Sequence, residues 1–293
     1  MRYYTYTTVY DVRDTMKKSG LTAFLCSGLC AVCVLFFSCE MFTTSLAKGA
    51  RRDPKEVLKN LSPSELIAFS QNGAYAADPK TAAAILELLG KDKGKLESLD
   101  LKDKEQVLAL LPEASLPIKN IKTIVAEALK LGQNGATEQS DRDFVNELMN
   151  NVQPVDTEAA STLLSDRKVM ESAKPEKLAT TAVTLMMQVV KNVGYAKVKA
   201  NVRNSGDTID FKTETADAIV TKMLGAEGSP TALGSLSDRK ALKAAVSAVQ
   251  LLSGNPNATD SAGKPVARDD IDPAKLQVGG AFSLDKILKA FLG

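Results

Sequence analysis

The sequence predicts an all-α protein, either an irregular α-solenoid or a helical bundle built from short helix pairs. After Cys39, apolar residues recur mainly at helical spacing, and Ala, Leu, Lys and Glu fill the positions between them. Many of these segments begin with a capping residue and end at glycine. Two segments, Leu58 to Gly90 and Leu96 to Gly132, share one order of elements and start 38 residues apart. This spacing lies within the range of helical repeats and indicates degenerate repeats.

Local signals set the predicted helix boundaries. Ser62-Pro63-Ser64-Glu65 is a capping box with proline at the first helical position. Gly90 is expected to close the helix that Asp78-Pro79 starts, and Pro112 to end the next one, because proline breaks a helix interior. The predicted helices cover residues 63–72, 79–90, 104–111, 118–131, 141–151, 157–164, 166–172, 175–190, 213–224, 238–252 and 283–292.

Residues 196–212 fit two structures. Val198, Ala200 and Val202 alternate before a polar turn, and Ile209 and Phe211 follow it, which is typical of a small β-hairpin. Tyr195, Val198 and Val202 also fit a continuation of the preceding helix to about Val202. The helical context favours the second alternative.

Three polar linkers are predicted at residues 132–139, 225–235 and 253–273, and the last is expected to be mobile or to face a partner. Its oxygen-bearing side chains include types that bind calcium, but their spacing lacks the glycine and the acidic residue that an EF-hand loop requires. A solvated loop is therefore expected for Asn255, Asn257, Thr259, Asp260, Asp269 and Asp270.

The triplet Ser-Asp-Arg occurs three times, starting at Ser140, Ser165 and Ser237. We interpret each serine as a helix N-cap with an aspartate near the positive helix end. Two copies continue into Ser-x-x-Lys, with Lys168 and Lys240 in the last position, as in penicillin-recognising enzymes. The companion motifs of those enzymes are missing, which favours the capping interpretation.

The start of the chain resembles the signal peptide of bacterial lipoproteins. Met16-Lys17-Lys18 precedes an uncharged apolar run from Leu21 to Phe37, and Leu35 and Ser38 stand before Cys39 as in a lipobox. Its loose form is similar to that of spirochaetal lipoproteins. The resemblance implies cleavage between Ser38 and Cys39 and acylation of Cys39, with palmitate among the attached chains. The protein would then be lipid-anchored at a bacterial cell membrane, facing the periplasm or the outside.

The alternative is an uncleaved membrane anchor, because the 17 uncharged residues from Leu21 to Phe37 reach the lower limit for a span. The predicted organisation has four parts. Residues 1–15 are a gene-model extension, 16–38 the signal peptide, 39–52 a membrane-proximal tether and 53–293 the helical domain.

Composition excludes several kinds of chemistry. The chain has no His, so an imidazole base, a Ser-His-Asp triad and a His-ligated metal are excluded. All four cysteines lie at or before Cys39, so residues 40–293 can form neither a disulfide nor a thiolate metal site. Of 37 basic and 35 acidic residues, four and two lie in residues 1–38, which leaves 33 of each. This balance gives no electrostatic footprint for nucleic acid.

These observations predict a non-catalytic protein-interaction scaffold or accessory of the bacterial cell envelope, without cofactor or metal. Its expected partners are the membrane, through Cys39, and an envelope protein or a small apolar ligand. One alternative is a transport carrier that holds an apolar ligand against the face from Leu178 to Val190. Another is a carboxylate-based cell-wall-degrading enzyme, for which Glu127 and Glu147 are the candidate acids.

Overall fold

The computed structural model describes residues 54–72, 75, 78–116, 149–205, 209–260, 262–271, 277–278 and 282–283. These residues form eleven α-helices with described bounds, a further helical segment at residues 149–151 and one short antiparallel strand pair, so the all-α prediction is confirmed. All of them belong to one compact unit, Pro54–Gly293. The predicted tether, the signal peptide, the helix at 118–131, the linker at 132–139 and most of the helix at 141–151 lie outside the described residues.

The helices are numbered here in chain order. The first five are α1 Pro54–Leu58, α2 Pro63–Gln71, α3 Pro79–Lys91, α4 Lys93–Glu97 and α5 Leu101–Ser115. The next six are α6 Glu158–Ser165, α7 Arg167–Ser172, α8 Pro175–Val193, α9 Tyr195–Asn204, α10 Ala216–Leu224 and α11 Leu236–Leu252. The strands are β1 Gln277–Val278 and β2 Phe282–Ser283, which pair antiparallel.

Helix α8 lies at the centre of the described structure. Twelve of its 19 residues are buried, and it packs most extensively on α11, then on α5, α9 and α6. Helix α6 in turn contacts both α3 and α11. In a solenoid each repeat contacts only its neighbours. Because these contacts join helices far apart in the sequence, the described part is a helical bundle.

Pro112 lies inside α5, so the prediction that it ends this helix is wrong. Proline has no N–H, and the carbonyl of Leu108, four residues earlier, therefore loses its helical donor. The structure replaces that donor from another helix. The Thr181 hydroxyl of α8 donates to the Leu108 carbonyl oxygen at 2.8 Å in a buried position. A tertiary hydrogen bond thus removes the main polar cost of proline at this point.

Gly90 also lies inside its helix, and α3 continues to Lys91. A Cβ atom at Gly90 would stand 3.1 Å from the Asp156 carboxylate and 3.3 Å from the Ala159 backbone nitrogen. The glycine therefore permits the start of α6 to approach α3 closely. Its role is this contact between helices, and the prediction that it terminates the helix is wrong.

The capping box at the start of α2 has the predicted geometry. Ser62 accepts a hydrogen bond from the Glu65 backbone, and the Glu65 carboxylate accepts one from Ser62 N at 2.8 Å. The hydrogen bonds from Ser62 hold the pKa of Glu65 below its ordinary value.

The chain folds into α9 up to Asn204, so the hairpin alternative for residues 196–212 is wrong.

Two C-terminal predictions need correction. Ser283 lies in β2, so no helix starts at this residue, and residues 284–292 are outside the described part. The sequence predicted that the linker from Ser253 is solvated and either mobile or partner-facing. In the structure it is docked on the bundle as far as Arg268, which donates to the carbonyls of Met170 and Ala173. Asn255 is 3% exposed and donates to the carbonyls of Phe211 and Glu214, both at 2.9 Å. Asp260 is 6% exposed and accepts backbone hydrogen bonds within its own turn.

We predict that Thr181→Val lowers the free energy of unfolding by about 1–3 kcal/mol, because the buried Leu108 carbonyl loses its donor. In a Pro112→Ala background the same change should cost less, since an alanine at this position restores the helical N–H. Urea unfolding of the two single variants and the double variant measures this coupling. The control is Thr184→Val, at a buried threonine of the same helix whose hydroxyl donates to the Thr180 carbonyl within α8. Equal costs of Thr181→Val in both backgrounds would contradict the explanation.

We predict that Gly90→Ala destabilises the protein, although alanine favours a helix by about 1 kcal/mol over glycine. The added methyl group would press on Asp156 and on the backbone of α6. The matched control is Gly94→Ala in α4, where the nearest atom is a flexible carboxylate oxygen at 3.4 Å. Thermal unfolding should place the midpoint of Gly90→Ala below that of Gly94→Ala, and the reverse order would rule out the close-approach role.

Candidate functional site

An open groove of about 920 Å³ lies over α6 and α11, and residues of α4, α5 and α7 complete its lining. The two central helices each present one face to it, with residues spaced i, i+3, i+4 and i+7, which share one side of a helix. These residues are Glu158, Ser161, Thr162 and Ser165 on α6, and Lys240, Lys243, Ala244 and Ser247 on α11.

The floor of the groove is made of small side chains. Ser161 and Ser247 are nearly buried, at 8% and 4% exposed, and Ala244 lies beside them in the lining. The two hydroxyls make no hydrogen bond to another described residue. Because these side chains are short, α6 and α11 leave space above their contact, and two hydroxyl groups face it.

The lining carries a local excess of positive charge. It contains six basic side chains and three acidic ones, so its formal net charge is +3. The basic residues are Lys93, Lys104, Arg167, Lys168, Lys240 and Lys243, and the acidic ones are Glu97, Glu158 and Asp166. Residues 39–293 as a whole are neutral, so this excess is a property of one surface.

Three of these lysines have acidic partners in the protein. Lys93 pairs with Glu158 at 3.2 Å, and Lys104, whose side chain is 13% exposed, pairs with Asp166 at 3.1 Å. Lys243 contacts Asp217 at 2.7 Å.

Lys168 and Lys240 differ from the other lysines of the groove. Both side chains are exposed, and neither forms an ion pair with another described residue. They are the groove cations available to a ligand.

Three of the four residues that define the two Ser-x-x-Lys segments line the groove. Ser165, Lys168 and Lys240 line it, whereas Ser237 does not. The Ser165 hydroxyl donates to the Ser161 carbonyl at 2.8 Å, a backbone bond typical of serine within a helix.

The prediction that these serines cap helices is wrong at both described copies. Ser165 ends α6, and Asp166 caps α7 by accepting from the Lys168 backbone at 2.9 Å. Ser237 is the second residue of α11, whose N-cap is Ser235. Helix N-caps typically have an extended backbone, and the repeated triplet does not fix where this occurs.

Arg239, the third residue of the same triplet, has a structural role that the sequence analysis missed. It is 8% exposed, and its Nη2 atom donates to the carbonyls of Leu224 and Gly225, both at 2.9 Å. A guanidinium at these last carbonyls of α10 satisfies acceptors that have no helical donor. This contact fixes α11, and with it Lys240 and Lys243, relative to α10.

A carboxyl group with a raised pKa lies outside the groove. Burial raises the pKa of Glu113 on α5, and the positive charge of Lys177 opposes this shift only in part. A raised carboxyl pKa is what the wall-degrading enzyme hypothesis requires of its acid. Glu113 does not line the groove, and the predicted acids Glu127 and Glu147 lie outside the described residues.

The apolar face proposed for a carrier is part of the core. Leu178, Leu185 and Val190 are each 0% exposed, and α8 is packed between four helices. No residue of α8 lines the groove.

Other site predictions have separate outcomes. Ser38 and Cys39 lie outside the described residues and stay predictions. Within the residues that the structure describes, no three His, Cys, Asp or Glu side chains are grouped so that they could hold a metal ion. None of the helices described has both the length and the apolar character needed to cross a membrane.

Comparison with protein-family models, curated proteins and solved structures finds no match to this chain.

We predict that Glu113→Gln makes the protein more stable than wild type at neutral pH. With its pKa raised in the folded state, Glu113 binds its proton more tightly there than in the unfolded chain, so its contribution to stability falls as pH rises through this interval. Glutamine has no such dependence. The stability difference between variant and wild type should therefore grow from pH 4 to pH 7 in urea unfolding. Glu227→Gln, at an exposed position, is the control, and a pH-independent difference for Glu113→Gln would contradict the assignment.

Proposed function

We propose that the protein is a lipid-anchored, non-catalytic binding scaffold of the bacterial cell envelope, and that the groove over α6 and α11 is its binding face. The observation that carries the proposal is the groove itself, in which exposed lysines and hydroxyls stand on packed helices. Side chains on regular elements hold their positions better than those on loops, which suits recognition.

The lipobox supplies the anchoring part of the proposal. Cys39 would carry the acyl chains, and 14 residues separate it from Pro54, where the helical unit begins. A fully extended segment of this length spans at most about 50 Å. The tether would therefore keep the binding face close to the membrane and to proteins embedded in it.

Two alternatives receive less support. A carrier would need the apolar face from Leu178 to Val190, whose side chains are occupied by neighbouring helices. A wall-degrading enzyme would need an acid at a site open to a polysaccharide, and Glu113 is not in the groove lining. We therefore favour a scaffold.

Intact mass of the membrane-extracted protein tests the anchor. We expect the mass of residues 39–293 plus acyl chains, because the lipobox directs cleavage at Cys39. Cys39→Ala should abolish the acyl mass, whereas the leader variant Cys33→Ala should retain it. A protein that keeps residues 16–38 and has no acyl mass would overturn the lipoprotein assignment.

Site-directed photo-crosslinking tests the binding face. A benzoylphenylalanine placed at Thr162, in the groove lining, should give a discrete adduct with one envelope protein in intact cells. The same group at Lys80, an exposed position on α3, is the control. Adducts from position 80 alone, or from neither position, would contradict the use of the groove.

A further inference from the structure

The groove contains more positive charge than the folded chain itself neutralises. Lys93, Lys104 and Lys243 each have an acidic partner in the protein. Lys168 and Lys240 have none among the described residues, and both are exposed on the groove lining. Exposed cations that line a concave surface favour an anionic ligand, since the wall concentrates their field.

The lining and the size of the groove disfavour a single phosphate group as its ligand. Phosphate sites in proteins usually use converging backbone N–H groups or the fork of an arginine. The arginine of this lining, Arg167, already binds Glu171 through its Nε atom at 2.6 Å. A volume of about 920 Å³ is also far larger than one small anion and lies near the upper end of ligand sites.

An extended peptide matches the groove better. Its side-chain carboxylates can reach lysines on separate helices, and the floor hydroxyls of Ser161 and Ser247 can donate to or accept from its backbone. Residues 39–293 have no net charge, so the protein as a whole would not attract a nucleic acid electrostatically.

We infer that the groove binds an acidic peptide segment of a partner protein, with Lys168 and Lys240 as the residues that recognise its carboxylates. This inference rests on the proposed function, because it names the ligand of the proposed binding face. Glu97 has the opposite role. It lines the groove, is exposed and has no ion pair among the described residues, so it weakens the attraction for acidic side chains.

Fluorescence anisotropy with a labelled hexaglutamate peptide tests the inference on the full chain in neutral detergent. We expect saturable binding that weakens as salt is raised, and none of a hexaglutamine peptide. Lys168→Gln/Lys240→Gln should weaken binding about fivefold or more, as expected for the loss of two exposed charge contacts. Glu97→Gln should strengthen it about twofold, a gain that partial unfolding would not produce.

The matched control is Lys80→Gln/Lys197→Gln, which removes two exposed lysines outside the groove. Its binding should stay within about twofold of wild type. An equal loss in both double variants would show non-specific attraction and overturn the inference. So would absence of hexaglutamate binding, or tighter binding of inorganic phosphate or of a single-stranded oligonucleotide.

The outcomes separate this inference from the proposed function. If position 162 crosslinks to an envelope protein and hexaglutamate does not bind, the scaffold stands and the acidic ligand is wrong. If hexaglutamate binds as expected and the extracted protein has no acyl mass, the groove assignment stands and the lipid anchor is wrong.

Discussion

The burial of α8 is the constraint on which the described structure depends. Each large apolar side chain that leaves water contributes about 1.5–3 kcal/mol to the free energy of folding. Helices α8 and α11 each have 12 buried residues, more than any other described helix. A helix enclosed in this way also needs acceptors for its buried polar donors. The Gln188 amide donates to the Ser115 hydroxyl at 2.9 Å, and Thr181 donates to the Leu108 carbonyl. Polar side chains of α8 therefore donate hydrogen bonds to the last residue of α5 and to the carbonyl that its proline leaves without a donor. These bonds specify how the two helices align.

The position of α6 follows from the same packing and determines the groove. Helix α6 is held by α3 on one side and by α11 on another. Gly90 allows its first turn to approach α3, and Glu158 in that turn pairs with Lys93. On the other side α6 packs on α11, and small residues of both helices line the groove. A shift of α6 would therefore change the core contacts at Gly90 and the shape of the groove together.

Much of the helical order was predictable, because the signals are local. The capping box at Ser62, the proline after Lys174 and the apolar spacing of α8 need only neighbours in the sequence to be recognised. Pro112 and Gly90 were misassigned for the opposite reason. The donor that compensates Pro112 is 73 residues away from the carbonyl it serves, and the backbone that approaches Gly90 belongs to α6. The loop after Ser253 looked solvated because the buried Asn255 amide finds its acceptors, the carbonyls of Phe211 and Glu214, 44 and 41 residues away in the sequence.

The groove could not be predicted from the sequence, because five helices contribute to it and the overall charge is balanced. Its clearest trace is an inconsistency in the helical pattern. Ser161 and Ser247 occupy nearly buried positions on helices whose other buried residues are mostly apolar. A larger apolar side chain at either position would extend the α6–α11 contact and bury more area, so stability alone does not account for the hydroxyls. Positions that depart from the pattern that best stabilises a fold are concentrated at functional sites. Here two such positions form the floor of the surface where Lys168 and Lys240 lie without an ion pair to another described residue. This coincidence supports the proposal that the groove binds a ligand.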